Sequence, residues 1–149
     1  MNKVFLLILL SLLWMVNCYA EERYLGQFSL NKNRVDSVSN PYGKFGSEYS
    51  VYSINNQSGE YGSVLSNKSA TNPNATNPPK LYDRNGNFRG KLSTSPYDLD
   101  SISNPYGRYG SKFSAESINN PLGAGSPYRL DSPYNPYGEG LSIYSDEKD

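Results

Sequence analysis

Any chemistry in this chain has to come from carboxylates, amides and tyrosines. Histidine is absent and Cys18 is the only cysteine, which removes Ser-His and Cys-His nucleophile pairs and the usual His/Cys zinc sites. Asp98 and Asp100 are two residues apart. In an extended segment such a pair points the same way and suits a metal or acid-base role. Asp36 occupies the position that matches Asp100 in an internal repeat. The commoner use of such residues is to bond backbone amides where a turn begins, and that is the expectation for Asp36 and Asp100. The run Asp83-Arg84-Asn85-Gly86-Asn87 has the outline of a calcium loop. An EF-hand needs Gly at its sixth position and Glu at its twelfth, and those positions hold Phe88 and Thr94. No catalytic residue, metal ligand or cofactor is assigned, and the chain is read as a non-enzyme.

The tyrosines are the one candidate for a binding surface. Rigid rings on ordered turns suit stacking on sugars or on a partner protein, and Tyr42, Tyr106, Tyr109 and Tyr137 sit in or beside predicted turns. The competing use is a hydrophobic core. Only 21 of the 129 residues after Ala20 are Leu, Ile, Val or Phe, so composition favours Tyr42, Tyr49, Tyr106, Tyr109, Tyr128, Tyr134 and Tyr137 as core.

These residues are carried by a repeat. SISNPYGRYGSKFS at Ser101–Ser114 is a near copy of SVSNPYGKFGSEYS at Ser37–Ser50. The offset of 64 also aligns Tyr24-Leu25-Gly26 with Phe88-Arg89-Gly90, and Ser53-Ile54-Asn55-Asn56 with Ser117-Ile118-Asn119-Asn120. It slips to 62 by Leu81-Tyr82 and Ile143-Tyr144. The chain therefore divides into residues 1–20, a first module at 21–83 and a second at 84–149. Inside each module a unit S-x-x-N-P-x-G recurs, with serines at 37, 53 and 69 and at 101, 117 and 132. Asn-Pro-Tyr-Gly is a turn: Asn bonds locally, Pro presets φ, and Gly is expected to leave at positive φ.

A mostly irregular β fold follows, with no helix after the leader. Short strands are expected at 24–29, 80–84, 87–93 and 141–145. Asn85-Gly86 between two alternating runs is a strong hairpin signal, and the four strands are expected to join in one small antiparallel sheet bearing turn-rich lobes. A short solenoid of six coils is the alternative.

The first twenty residues read as a secretory signal. Lys3 supplies the charge, Val4–Val16 is apolar except for Ser11, and cleavage is expected between Ala20 and Glu21. The apolar run is too short for a span of roughly 20 residues, so no stable membrane span is expected after cleavage. The alternative is a lipoprotein anchored through Cys18. After Ala20 the net charge is −1, from 13 basic and 14 acidic residues. That balance gives no electrostatic basis for binding nucleic acid.

The tandem S-x-x-N-P-Y-G-x-Y-G-S units, preceded by a Y-D-x-x-G-x-x-x-G-x-L strand pair, resemble small exported bacterial proteins of uncharacterised activity. The resemblance covers residues 24–144 and implies export, to the periplasm or outside the cell, and a shared fold. A structural or interaction role in the envelope is expected, with a cell-wall polysaccharide or an envelope protein as partner. The alternative is a carbohydrate-binding module that uses exposed tyrosines. N-terminal sequencing of the exported protein should begin at Glu21; a chain that starts at a lipid-modified Cys18 would establish the anchored form instead.

Overall fold

The computed structural model describes residues 21–147. Its four strands are β1 (Glu22–Phe28), β2 (Lys80–Tyr82), β3 (Phe88–Lys91) and β4 (Leu141–Asp146). They form one antiparallel sheet in the order β1-β4-β2-β3. Among the described residues there is no helix. The strands fall where alternation placed them, with β2 and β3 shorter than expected. Asp83 leaves the ladder to close the hairpin: its N–H donates to the Asn87 carbonyl and its own carbonyl accepts from Gly86 N–H, both at 3.0 Å. Gly86 then turns at φ 78°, so the loop is three residues, Arg84 to Gly86, with glycine in the left-handed position that this loop length requires.

The rest of the chain is a succession of turns. In the first module, N–H groups three residues on bond the carbonyls of Arg34, Ser37 and Asn40 in turn, then those of Ser47, Ser50, Ser53 and Asn56. Between Gly43 and Ser47 the step is four residues, and this single longer step makes the repeat 16 rather than 15. From Ser117 to Ser132 every step is three, through Asn120, Gly123, Ser126 and Arg129. That is why this coil is one residue shorter than the others.

The side chain at the head of each turn closes it. Ser37, Ser53, Ser101, Ser117 and Ser132 each accept the N–H two residues on, at 3.0–3.2 Å, and Asn40, Asn104 and Asn135 do the same through Oδ1. Asparagine has a second function that serine is too short to perform. Its Nδ2 donates to the carbonyl six residues earlier, from Asn40 to Arg34, Asn56 to Ser50, Asn72 to Ser66, Asn104 to Asp98, Asn120 to Ser114 and Asn135 to Arg129. Each asparagine thus ties two successive turns, with a donor on one atom and an acceptor on the other. Successive coils are tied by Asn55, whose Nδ2 reaches the Val38 and Gly46 carbonyls, and by its counterpart Asn119, which reaches those of Ile102 and Gly110.

The glycine of the Asn-Pro-Tyr-Gly turn corrects an expectation. Gly43, Gly107 and Gly138 are not among the residues at positive φ, which are Gly26, Gly86, Gly90 and Gly140. Their constraint is space. A Cβ on Gly107 would stand 2.8 Å from the Leu99 carbonyl oxygen, and one on Gly43 2.9 Å from that of Val35.

The apolar core lies under one face of the sheet. Leu25, Leu81, Leu141 and Ile143 point down from the strands onto Val38, Tyr61, Ala70, Leu92 and Ile118. The six repeat serines at 37, 53, 69, 101, 117 and 132 are 0% exposed, so the coils pack through hydroxyls whose bonds are made. Among the described residues no buried side-chain nitrogen or oxygen lacks a partner, as a polar interior demands.

The repeat offsets map β1 onto β3 and β2 onto β4, and the strand order reads the same from either edge. The sheet therefore has an approximate two-fold axis between β4 and β2, where Leu81 faces its own counterpart Ile143. Glu147 N–H donates to the Glu21 carbonyl at 2.9 Å, closing β4 onto β1 at the place where the hairpin joins β2 to β3.

The asparagine link is directly testable. Asn104→Asp replaces the Nδ2 donor with an oxygen facing the Asp98 carbonyl in a site 5% exposed. It should lower unfolding free energy by about 1–3 kcal/mol, measured by urea denaturation at pH 7, whereas Asn85→Asp on the exposed hairpin should change it by less than about 0.5 kcal/mol.

Candidate binding surfaces

In the turns headed by asparagine and by the less buried serines, the head residue folds back onto the backbone and the side chain two places on points away from it. After the buried heads Ser53 and Ser117 that place holds Asn55 and Asn119, which turn inward to bond the neighbouring coil. Tyr42, Tyr106 and Tyr137 occupy the outward-pointing place and are 96%, 95% and 90% exposed. Tyr49, Phe113, Leu122 and Tyr128 occupy it in other turns and are also exposed. The core assignment of Tyr42, Tyr49, Tyr106, Tyr128, Tyr134 and Tyr137 is therefore overturned. The repeat buries its serines instead, because each hydroxyl satisfies an amide within its own turn. Tyr109 differs from its near neighbour Tyr106 and is 7% exposed. It is not on the tyrosine-lined surface. Tyr42 and Tyr49 border a groove of about 770 Å³ that Glu48 and Asn55 also line.

A second aromatic surface crosses the outer face of the sheet. Six rings stand in a row: Phe45, Tyr24, Tyr144, Tyr82, Phe88 and Tyr109, with neighbouring centroids 5.2, 5.4, 5.9, 5.9 and 5.3 Å apart. Four of the pairs meet at 66–82°, the edge-to-face geometry that aromatic pairs favour, and Tyr24 and Tyr144 are tilted at 53°. The row obeys the approximate two-fold, which exchanges Phe45 with Tyr109, Tyr24 with Phe88 and Tyr144 with Tyr82. Its two ends depend on glycine. A Cβ on Gly26 would stand 2.6 Å from Phe45 Cβ, and one on Gly90 2.8 Å from Tyr109 Cβ. Both glycines have positive φ, 94° and 102°, so they admit the end rings over the edge strands on two counts.

The polar groups beside this row are mostly committed. Burial, helped by the Asp36 charge, pushes the Tyr24 phenol up to about 12, and burial also raises Tyr82. Tyr24 Oη donates to Asp36 Oδ2 at 3.2 Å, and Arg34 takes both oxygens of that carboxylate. Asp36 therefore binds side chains where backbone amides were expected. In the second module it is Asp98 that bonds an amide, that of Asp100, while its other oxygen accepts from Lys91 Nζ at 2.9 Å. Asp98 and Asp100 both lie within reach of Lys91, and the pair locks the start of the second turn region. Burial pushes the Asp83 carboxyl up, but bonds from Asn87, Arg89 and Asn85 outweigh it and hold the group at about 2. This carboxylate fastens the hairpin.

A cleft of about 390 Å³ opens on the outer sheet face, lined by Glu22, Tyr82, Asp83, Arg84, Gly86, Ser142 and Tyr144. The sheet-face row was not singled out from the sequence, although the same offsets that align the modules pair its rings as aromatic with aromatic. The missing information was which side of each strand faces the core.

No protein-family model, no curated protein and no solved structure matches the chain.

Tyr106 and Tyr109 separate the two uses of tyrosine. Tyr109→Ser removes a buried ring in edge contact with Phe88 and should destabilise the fold by about 3 kcal/mol. Tyr106→Ser should change stability by less than about 0.5 kcal/mol. Chemical denaturation of the two variants beside the parent reads both values.

Proposed function

We propose that this chain is a non-catalytic interaction protein of the exported bacterial class its repeats resemble, acting in the envelope or outside the cell. Export rests on the leader pattern of residues 1–20, which lie outside the described residues. The observation that carries the interaction role is the exposure of Tyr42, Tyr106 and Tyr137 on turns fixed by side-chain bonds. The fold does not bury these rings, and their backbone is already ordered. A partner that stacks on them has little conformational entropy to remove on the protein side.

Within that role, a cell-wall polysaccharide is the partner these rings favour. Tyrosine offers an apolar face for the C–H side of a pyranose and a hydroxyl at its edge. The groove between Tyr42 and Tyr49 adds Asn55 and Glu48, amide and carboxylate groups that can bond sugar hydroxyls.

Co-sedimentation with purified peptidoglycan tests this reading. The parent protein should be retained, and a Tyr42→Ser/Tyr106→Ser/Tyr137→Ser variant should remain in the supernatant while melting within about 4 °C of the parent. A parent protein that fails to sediment with any insoluble glycan would overturn the glycan assignment. Equal retention of parent and variant would remove the tyrosines from it.

A further inference from the structure

The approximate two-fold of the sheet is broken at several positions, Leu25 against Arg89 and Asp83 against Ser145 among them, and one such break coincides with the cleft on the outer face. On one side of the axis Lys80 Nζ donates to Asp146 Oδ2 at 2.6 Å, and this ion pair covers the sheet beside Tyr82. The offset of 62 maps Lys80 onto Ser142 and Asp146 onto Arg84. On the second side a short hydroxyl therefore replaces the long amine, and a guanidinium replaces the carboxylate. Ser142 Oγ accepts from Gln27 Nε2 at 2.9 Å and stays low on the sheet. Arg84 is exposed and has no ion pair or hydrogen bond among the described residues. The cleft of about 390 Å³ lies where the equivalent ion pair would otherwise stand.

We infer that this cleft binds a carboxylate-bearing sugar, with Arg84 as its anion partner. Arg84 is the one cation on the cleft's lining. The neighbouring Asp83 is fully engaged by Asn85, Asn87 and Arg89, and the remaining carboxylate, Glu22, belongs to the opposite end of the strands, where it pairs with Asp146 in the strand register. A ligand carboxylate supplies the anion that Asp146 supplies to Lys80 on the other side, and a guanidinium takes a carboxylate through two parallel bonds. The Tyr82 and Tyr144 rings, 5.9 Å apart, form an apolar wall for the pyranose. Glu22, also on the lining, accepts bonds from ring hydroxyls at the far end. The site is separate from the turn-tip tyrosines and rests on the interaction role proposed above only for the protein's being a binding module.

Binding of polygalacturonate, measured by affinity electrophoresis at low salt, tests the inference, with fully methyl-esterified polygalacturonate as the neutral probe. The parent should be retarded by the acid polymer at least tenfold more strongly than by the ester, and the retardation should weaken as salt is added. Arg84→Gln should bind at least tenfold more weakly with an unchanged melting curve, because Arg84 supports no other group. Ser142→Lys/Arg84→Asp rebuilds the ion pair of the other side and should abolish binding by filling the cleft. The triple tyrosine variant should keep the preference for acid over ester and Arg84→Gln should lose it, which separates this site from the turn-tip surface. No retardation of the parent, equal retardation by acid and ester, or an Arg84→Gln variant that binds like the parent would overturn the assignment.

Discussion

A backbone whose described residues hold no helix and four short strands must find partners for its amides elsewhere, since a buried unpaired amide costs about as much as the bond it lacks. Here the partners are the heads of the turns. A serine or asparagine placed every third residue accepts the N–H two residues on, and each asparagine also spends its second polar atom on the carbonyl six residues back. This one arrangement accounts for the three-residue step of the turns, the burial of hydroxyls and the placement of Asn rather than Asp. A carboxylate has no N–H to give the Asp98 or Arg129 carbonyl. The prolines follow from the same arrangement, because the residue after Asn needs the φ that Pro has already adopted.

The turn coils could not close on themselves without the sheet. Each module begins with an edge strand whose backbone bonds the first turns: Gln27 N–H donates to Asp36 O and Val38 N–H to Gln27 O, with Lys91, Asp100 and Ile102 repeating the pattern. The edges of the sheet are thereby covered by the chain itself, which blocks the edge-to-edge pairing that open strands invite. The modules also exchange ends. β4 closes the second module yet pairs with β1, and β2 closes the first yet pairs with β3. Neither module owns a complete sheet, so the two fold as one body around Leu81 and Ile143.

The two-fold relation also gives meaning to its exceptions. Where two halves share a plan, a difference between equivalent positions is a local decision rather than a demand of the fold. Most equivalent positions keep their physical type: Phe45 and Tyr109, Tyr24 and Phe88, Tyr82 and Tyr144 are all aromatic. Lys80 with Asp146 against Ser142 with Arg84 departs from it, and that departure coincides with the cleft on the sheet face.

Much of the architecture was legible in the residues. Alternation placed the four strands of the described residues and Asn85-Gly86 placed the hairpin, because these signals are local or periodic and need no knowledge of packing. Period 16 was visible, but not its cause, since the extra residue between Gly43 and Ser47 is apparent only as a hydrogen bond. The tyrosines were beyond the sequence. Tyr106 and Tyr109 stand three residues apart in one motif, yet one is at a turn tip and the other lies over Gly90 against Phe88. Composition pointed to tyrosine as core because aliphatic residues are scarce, and it could not foresee an interior built from serine hydroxyls. Residue types and spacing determine where this chain turns; which side chain ends inside depends on what the distant half of the chain brings against it, and only the tertiary structure decides that.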